Sequence, residues 1–277
     1  MSFSKISVLG PGLLGGSLGL AASAHGYDVS LWGRSAEKVA AACAIGLNAT
    51  TDLAEAVSEA DLIVLAVPVG VMSSLCEQFK GHLKPSAIVT DVGSVKSLPH
   101  EMAAAHQLAF IGSHPMAGSE QGGIEAAQRD LFQGAACVIT NDADCSQEEV
   151  AHVTSFWDSL GCRTSHMTAE AHDRAVARIS HMPHAMAVAT AAAGLTTPSD
   201  HLLSAGGFRD TTRVASGDPS MWAEIMMENR THLTAALHDA QNEIREMLEH
   251  LTNSDQKGLQ KYLAEVKFRK ENPDTLS

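Results

Sequence analysis

GSHPMAGSE, residues 112–120, sets His114 directly before Pro115 among residues too small to build a core. Pro115 blocks a helix through the stretch, which therefore reads as an ordered loop fixing a titratable side chain. A neutral imidazole poised near pH 7 is suited to taking a proton from a substrate hydroxyl. Three further stretches carry reactive side chains. DVGSVK (91–96) offers Ser94 and Lys96, HDRAVARISHMPH (172–184) offers His172, His181 and His184, and GFRDTTRVASGDPSMW (207–222) offers Asp210, Arg213 and Trp222. An arginine fork suits a carboxylate, through paired charge-assisted hydrogen bonds. Each residue also has a structural alternative. His172 equally suits a helix start paired with Asp173, His181 and His184 flank Pro183 as packing residues would, and Arg213 has Asp210 within pairing distance along the chain. Lys96 fits a cofactor contact or a charge at a helix start, and Trp222 fits core or a pocket wall.

The elements that must position these groups follow from the pattern. KISVLG (5–10), DVSLWG (28–33), DLIVLAVP (61–68), SAIVTDVG (86–93), LAFIGSH (108–114) and GAACVIT (134–140) are short apolar strands alternating with helical stretches. A helix over 146–160 and a last strand at 163–167 close this half. That alternation predicts a parallel sheet covered by helices on both faces. Between the first strand and its helix, Gly10, Gly12 and Gly15 have G-x-G-x-x-G spacing. In this setting the glycines permit a tight turn, close approach of backbone to a pyrophosphate and close helix–strand packing, with the helix N-terminus facing phosphate. Leu13 and Leu14 lie inside the loop, and Val67 and Pro68 end the DLIVLAVP strand. The end of the second strand carries Gly33, Arg34 and Ser35, with no acid for a ribose 2′-hydroxyl. Arg34 and Ser35 suit a 2′-phosphate, which favours NADP and leaves NAD open.

From about residue 168 the pattern is almost all helix. Asp218 and Pro219 start an apolar-striped helix expected to run about 33 residues without a break, the kind of helix that often forms a subunit interface. The fold class is therefore α/β. A Rossmann-type doubly wound parallel sheet in a dinucleotide-binding domain (1–166) precedes an all-helical substrate and dimerisation domain (167–277), with a homodimer as the expected assembly.

Composition narrows the partners. With 19 Lys and Arg against 32 Asp and Glu, the formal net charge is −13, a field that repels nucleic acid and anionic membrane. No apolar run reaches the roughly 18 residues of a membrane span. Five cysteines at 43, 76, 137, 145 and 162 form no Cys-x-x-Cys pair, which fits reduced thiols in the cytoplasm. On a straight helix, His172 and His181 point about 180° apart, so no obvious metal set forms and none is expected.

The five motifs in this order resemble the prephenate/arogenate dehydrogenase family of tyrosine biosynthesis, from Lys5 to about Leu251. The resemblance implies an NAD(P)-dependent oxidative decarboxylation of prephenate or arogenate, with His114 and Ser94 catalytic. It implies substrate contacts from Arg213, His172, His181 and His184, with Asp210 behind the arginine and Glu120 near the mouth of the pocket. The cofactor would lie on Gly10, Gly12, Leu13, Leu14, Gly15, Gly33, Arg34, Ser35, Val67 and Pro68. Two alternatives share parts of the pattern. A β-hydroxyacid dehydrogenase would want a helical-domain lysine, and residues 168–196 contain none. A non-catalytic NADP-sensing module would show no turnover.

Overall fold

The computed structural model describes residues 3–118 and 121–273. Five parallel strands, β1 (Lys5–Leu9), β2 (Asp28–Trp32), β3 (Ala49–Thr50), β4 (Leu62–Leu65) and β5 (Ile88–Asp91), form one sheet in the order β3-β2-β1-β4-β5. Leu62 and Val64 enter one apolar cluster, and Ile63 and Leu65 enter the other. Both faces of β4 are thus buried, which is why it reads as an uninterrupted apolar run. Helices α1 (Leu13–Ala24), α2 (Ala36–Ala44), α3 (Leu53–Ser58) and α4 (Val69–Phe79) connect these strands, and α5 (Ser97–His106) follows β5.

Beyond α5 the chain differs from the expectation of a wholly parallel sheet. A second, three-stranded sheet has the order β6 (Gly112–Pro115), β7 (Ala136–Thr140), β8 (Arg163–His166). In it β6 runs antiparallel to β7, and α6 (Gln147–Ser159) makes the parallel crossover from β7 to β8. A parallel bridge between Val89 and Phe110 links β5 to the approach of β6. His114 therefore lies on a strand and not in a loop. Its ladder partner is Val138, and the strand ends at Pro115.

The helical stretch after His166 is not regular either. Helix α7 (Ala169–Val176) passes through a wide π turn, Ala177–His181, into α8 (Met182–Gly194). Pro183 in the first turn of α8 has no N–H to give the preceding turn and crowds it, a recognised cause of such widening. Helices α9 (Pro198–Leu203) and α10 (Gly206–Thr212) and a tight turn at Arg213–Ser216 lead to α11 (Pro219–Glu228). The helix expected to run unbroken from Pro219 stops there, because Asn229 leaves helical geometry before α12 (Arg230–Thr252) begins. The chain divides into two compact units, one up to Asn229 and one from Arg230 onward. In the second, α12 and α13 (Gln256–Glu271) are joined by a Tyr262–Glu243 hydrogen bond of 2.7 Å. Ile244, Leu248 and Leu251 form an exposed apolar stripe on α12. Helix α13 continues through Lys267 to Glu271. Among the described residues no helix is long and apolar enough to cross a membrane.

Helix α11 meets the start of α4 through acidic side chains. The Gly70 amide donates to the Glu228 carboxylate, while the Oε1 atom of Glu228 is buried and finds no hydrogen-bond partner among the described residues. Burial and the neighbouring Glu224 push the Glu228 pKa up to about 7, against the Gly70 bond and Lys96. The stabilising protonated form is complete below the ordinary carboxylate range and is lost as pH rises through 7. Glu228→Gln is therefore expected to raise stability at pH 8 by about 1–2 kcal/mol, less than the full shift implies because the side chain is only half-buried. The gain should vanish toward pH 4.5, and thermal melts of both proteins across that range check it. An equal melting temperature at every pH would contradict the placement of that carboxyl.

Candidate active site

The site is built on Asp91, at the end of β5. Its carboxylate accepts the Gly93 amide (2.9 Å) and the Ser113 amide (3.1 Å) and forms an ion pair with Lys96 Nζ. Lys96 also donates to the Ser113 carbonyl at 2.8 Å. Both side chains are fully buried, so Lys96 is not a surface charge. It staples the loop bearing Ser94 to the strand bearing His114. Burial pulls the Lys96 pKa down, and Asp91 opposes this. Gly112 is small for a specific reason. A Cβ there would overlap Thr140 Oγ1 and crowd the Lys96 stem at 3.0 Å. Ser113 faces the other way, bonding Thr90 Oγ1 (2.8 Å) and accepting from Trp157 Nε1 (2.9 Å).

His114 is one end of a relay. Its Nδ1 lies 2.8 Å from His172 Nε2, and His172 Nδ1 lies 2.8 Å from Asp173 Oδ1. Asp173 also accepts the Lys96 amide at 2.7 Å and the Ser97 amide at 2.9 Å, the two N–H groups opening α5. Burial works against its charge, but the bonds from His172, Ser97 and Lys96 prevail and hold its pKa down to about 2. An ionised Asp173 can only accept, so His172 carries its proton on Nδ1 and leaves Nε2 as an acceptor. His114 must then donate from Nδ1, and its Nε2 keeps a lone pair. Burial lowers the His114 pKa well below the usual imidazole value, helped by His172, Lys96 and His181 and opposed by Asp173. The His114 ring is thus biased toward its neutral form.

His172 is completely buried and both ring nitrogens are engaged by protein, so it has none left for a substrate. The π turn corrects the straight-helix geometry and brings His181 to the same cluster, where Asn229 bonds both the Asp173 carbonyl and His181. Burial lowers the His181 pKa to about 4, with Asp173 opposing and His172 and His184 adding to the fall. The His184 ring stacks on Trp222 at 3.5 Å and 11°, and its Nδ1 is buried without a partner among the described residues. Gly217 permits that stack, since a Cβ would crowd Trp222 Nε1 at 2.5 Å. Ser94 is half-buried between β5 and α5. Arg213 and Asp210 are exposed. Glu120 lies outside the described residues. Asp91 and Asn229 went unread in the sequence; the partners of Asn229, Asp173 and His181, lie far from it along the chain. No group of three or more His, Cys, Asp or Glu among the described residues is placed to hold a metal ion.

The glycine loop fits a dinucleotide. Gly10 has φ +127°, and a Cβ there would overlap the Ala66 carbonyl, while one on Gly15 would overlap the Gly10 carbonyl. A Cβ on Gly12 would instead meet open space at the uncapped N-terminus of α1, where no acid stands in the first turn. Those are the features a pyrophosphate needs. Leu13 and Leu14 are half-buried in that first turn. Val67 borders the loop, 3.0 Å from a Cβ built on Gly10, and Pro68 follows it at the start of α4. Gly33 is pressed against Pro11, 2.6 Å from a Cβ built there, so an acid has no room. Arg34 is exposed beside it, and Ser35 caps α2 by accepting the Lys38 amide at 3.3 Å.

Comparison with known proteins agrees with this geometry. The family model described as prephenate dehydrogenase, nucleotide-binding domain, matches residues 18–166, and that described as prephenate dehydrogenase, dimerization domain, matches 168–265. The chain is 36% identical to the cyclohexadienyl dehydrogenase of Zymomonas mobilis, over 85% of this chain and 84% of that one. Its fold is similar to prephenate dehydrogenase from A. aeolicus in complex with hydroxyphenyl propionate and NAD+, with a TM-score of 0.90 and 27% identity over 98% and 99% of the two chains. It is likewise similar to Synechocystis arogenate dehydrogenase, with a TM-score of 0.87 and 30% identity over 97% and 99%. The chain belongs to the prephenate dehydrogenase family and is an NAD(P)-dependent oxidoreductase.

Proposed function

We propose that this chain oxidatively decarboxylates a cyclohexadienol, prephenate or arogenate, with His114 Nε2 as the base. The observation that carries this reading is the Asp173–His172–His114 chain of hydrogen bonds, which leaves one imidazole lone pair uncommitted at a half-buried position. When bound, the nicotinamide ring supplies the hydride acceptor. His114 takes the proton of the substrate hydroxyl, and the positive charge that develops is shared through His172 with Asp173. Ser94, on the loop stapled to the His114 strand, orients the same hydroxyl. His184, flat against Trp222, and Arg213 provide the polar wall for a dicarboxylate, and His172 acts through His114. The hydroxyphenyl propionate held by the A. aeolicus relative has the ring and carboxylate side chain that such a wall would take. The dinucleotide-binding domain is assigned to 1–166 and the helical domain to 167–277. The exposed Ile244, Leu248 and Leu251 stripe in the dimerization-domain match supports a homodimer.

His114→Asn is expected to lower kcat by roughly 10²–10⁴-fold with little change in substrate KM. Because the base is needed neutral and its pKa is depressed, kcat/KM should stay level as pH falls through the ordinary imidazole range and drop only below it. That limb should disappear in His114→Asn, and its survival would assign the base elsewhere.

We further infer a preference for NADP. The observation behind it is Gly33 packed on Pro11, which removes the position for an acid and leaves Arg34 at the end of β2. Steady-state assays with both substrates crossed against NADP and NAD test this reading together with the reaction. Arg34→Ala should raise KM for NADP by about tenfold or more, the worth of roughly 1.4 kcal/mol or above, and leave KM for NAD nearly unchanged. Equal effects on the two cofactors would remove Arg34 from the 2′-phosphate.

A further inference from the structure

We propose that Asn229 is a positioning residue of the active site, holding His181 as the neutral tautomer that carries its proton on Nε2. The inference rests on the reading of His181 as a residue that meets the substrate. Asn229 is the residue at which α11 ends, and its side chain is buried, 3% exposed. Its Nδ2 donates to the Asp173 backbone carbonyl at 2.8 Å and lies 3.2 Å from His181 Nδ1. A backbone carbonyl only accepts, so the amide must present its NH2 group on this side. The same NH2 group faces Nδ1, which must therefore accept as well. The ring proton is left on Nε2, and a second proton on Nδ1 would set two N–H groups against each other.

This device bears on the base. A charge on His181 would act directly on His114, whose pKa it already helps to lower. The titratable groups facing His181 are Asp173, His172, His184 and His114, and of these only Asp173 favours its protonation. Asp173 is, however, already committed to His172 and to two backbone amides. Asn229 supplies the geometric veto that electrostatics alone does not. A neutral Nε2–H donor is then held toward the substrate while His114 keeps its lone pair.

The test is the ring ¹⁵N spectrum of histidine-labelled protein, with His181 assigned by its loss in His181→Gln. In the native protein both nitrogens of His181 should report a single Nε2–H tautomer, with no titration down to about pH 5, well below the ordinary imidazole value. Asn229→Ala should show mixed tautomers and a raised pKa, with kcat/KM about tenfold lower and the KM for NADP within twofold of native. Asn229→Asp, whose carboxylate accepts from Nδ1–H, should turn His181 into a cation near neutral pH. Should either variant not fold, the native spectrum alone decides, because an Nδ1–H tautomer there overturns the proposal. An unchanged tautomer in a folded Asn229→Ala also overturns it. Shifted tautomers with native kcat/KM would support the role of Asn229 and overturn the substrate role of His181.

Discussion

The carboxylate of Asp173 is the point on which the site turns. One residue at the middle of α7 accepts two backbone amides from the first turn of α5 and one imidazole proton from its neighbour His172. The first two bonds tie the helical segment to the nucleotide-binding sheet, and the third fixes a tautomer. Three donors around one buried carboxylate keep it ionised where burial alone would neutralise it. The direction of every proton in the relay follows from that charge. An acceptor at Asp173 makes His172 a donor on one side and an acceptor on the other, and so leaves His114 a lone pair at Nε2.

A second buried charge holds the other half of the site. Lys96 and Asp91 share no solvent and are satisfied by each other, by the Ser113 carbonyl and amide and by Gly93. Such a pair adds little net stability compared with apolar residues of the same volume, yet breaking it by removing one partner costs roughly 3–5 kcal/mol. Its contribution is geometric. It sets the distance between the Ser94 loop and the His114 strand, and its positive end helps keep His114 unprotonated. Gly112 is the small residue that this arrangement demands, since the Lys96 stem passes where a Cβ would stand.

Much of the site was legible in the sequence because its members sit in short runs. The glycine loop, the S-H-x-P-H run and the histidine before Pro115 each declare themselves within a few residues. The parallel strands were legible for a similar reason, as runs buried on both faces. Three features were not. The strand read as ending at His114 runs on to Pro115 and pairs antiparallel with β7, a direction that no local pattern gives. The π turn before Pro183 rotates His181 toward His172, which a uniform 3.6-residue period cannot foresee. Asn229 interrupts an apolar stripe that continues on either side of it, so periodicity read straight through the break. In each case the deciding contact joins residues far apart in the chain.

Which nitrogen of His114 bears the proton decides whether the relay operates. Ring ¹⁵N shifts of His114 in the free protein between pH 6 and 8, assigned by their loss in His114→Asn, report this without any turnover. The relay requires a pyrrole-type Nδ1 bonded to His172 and a pyridine-type Nε2, unchanged across that range. A protonated Nε2, or an imidazolium titrating at the ordinary value near 6.5, would mean that Asp173 does not orient the chain and that His114 is not held as the base.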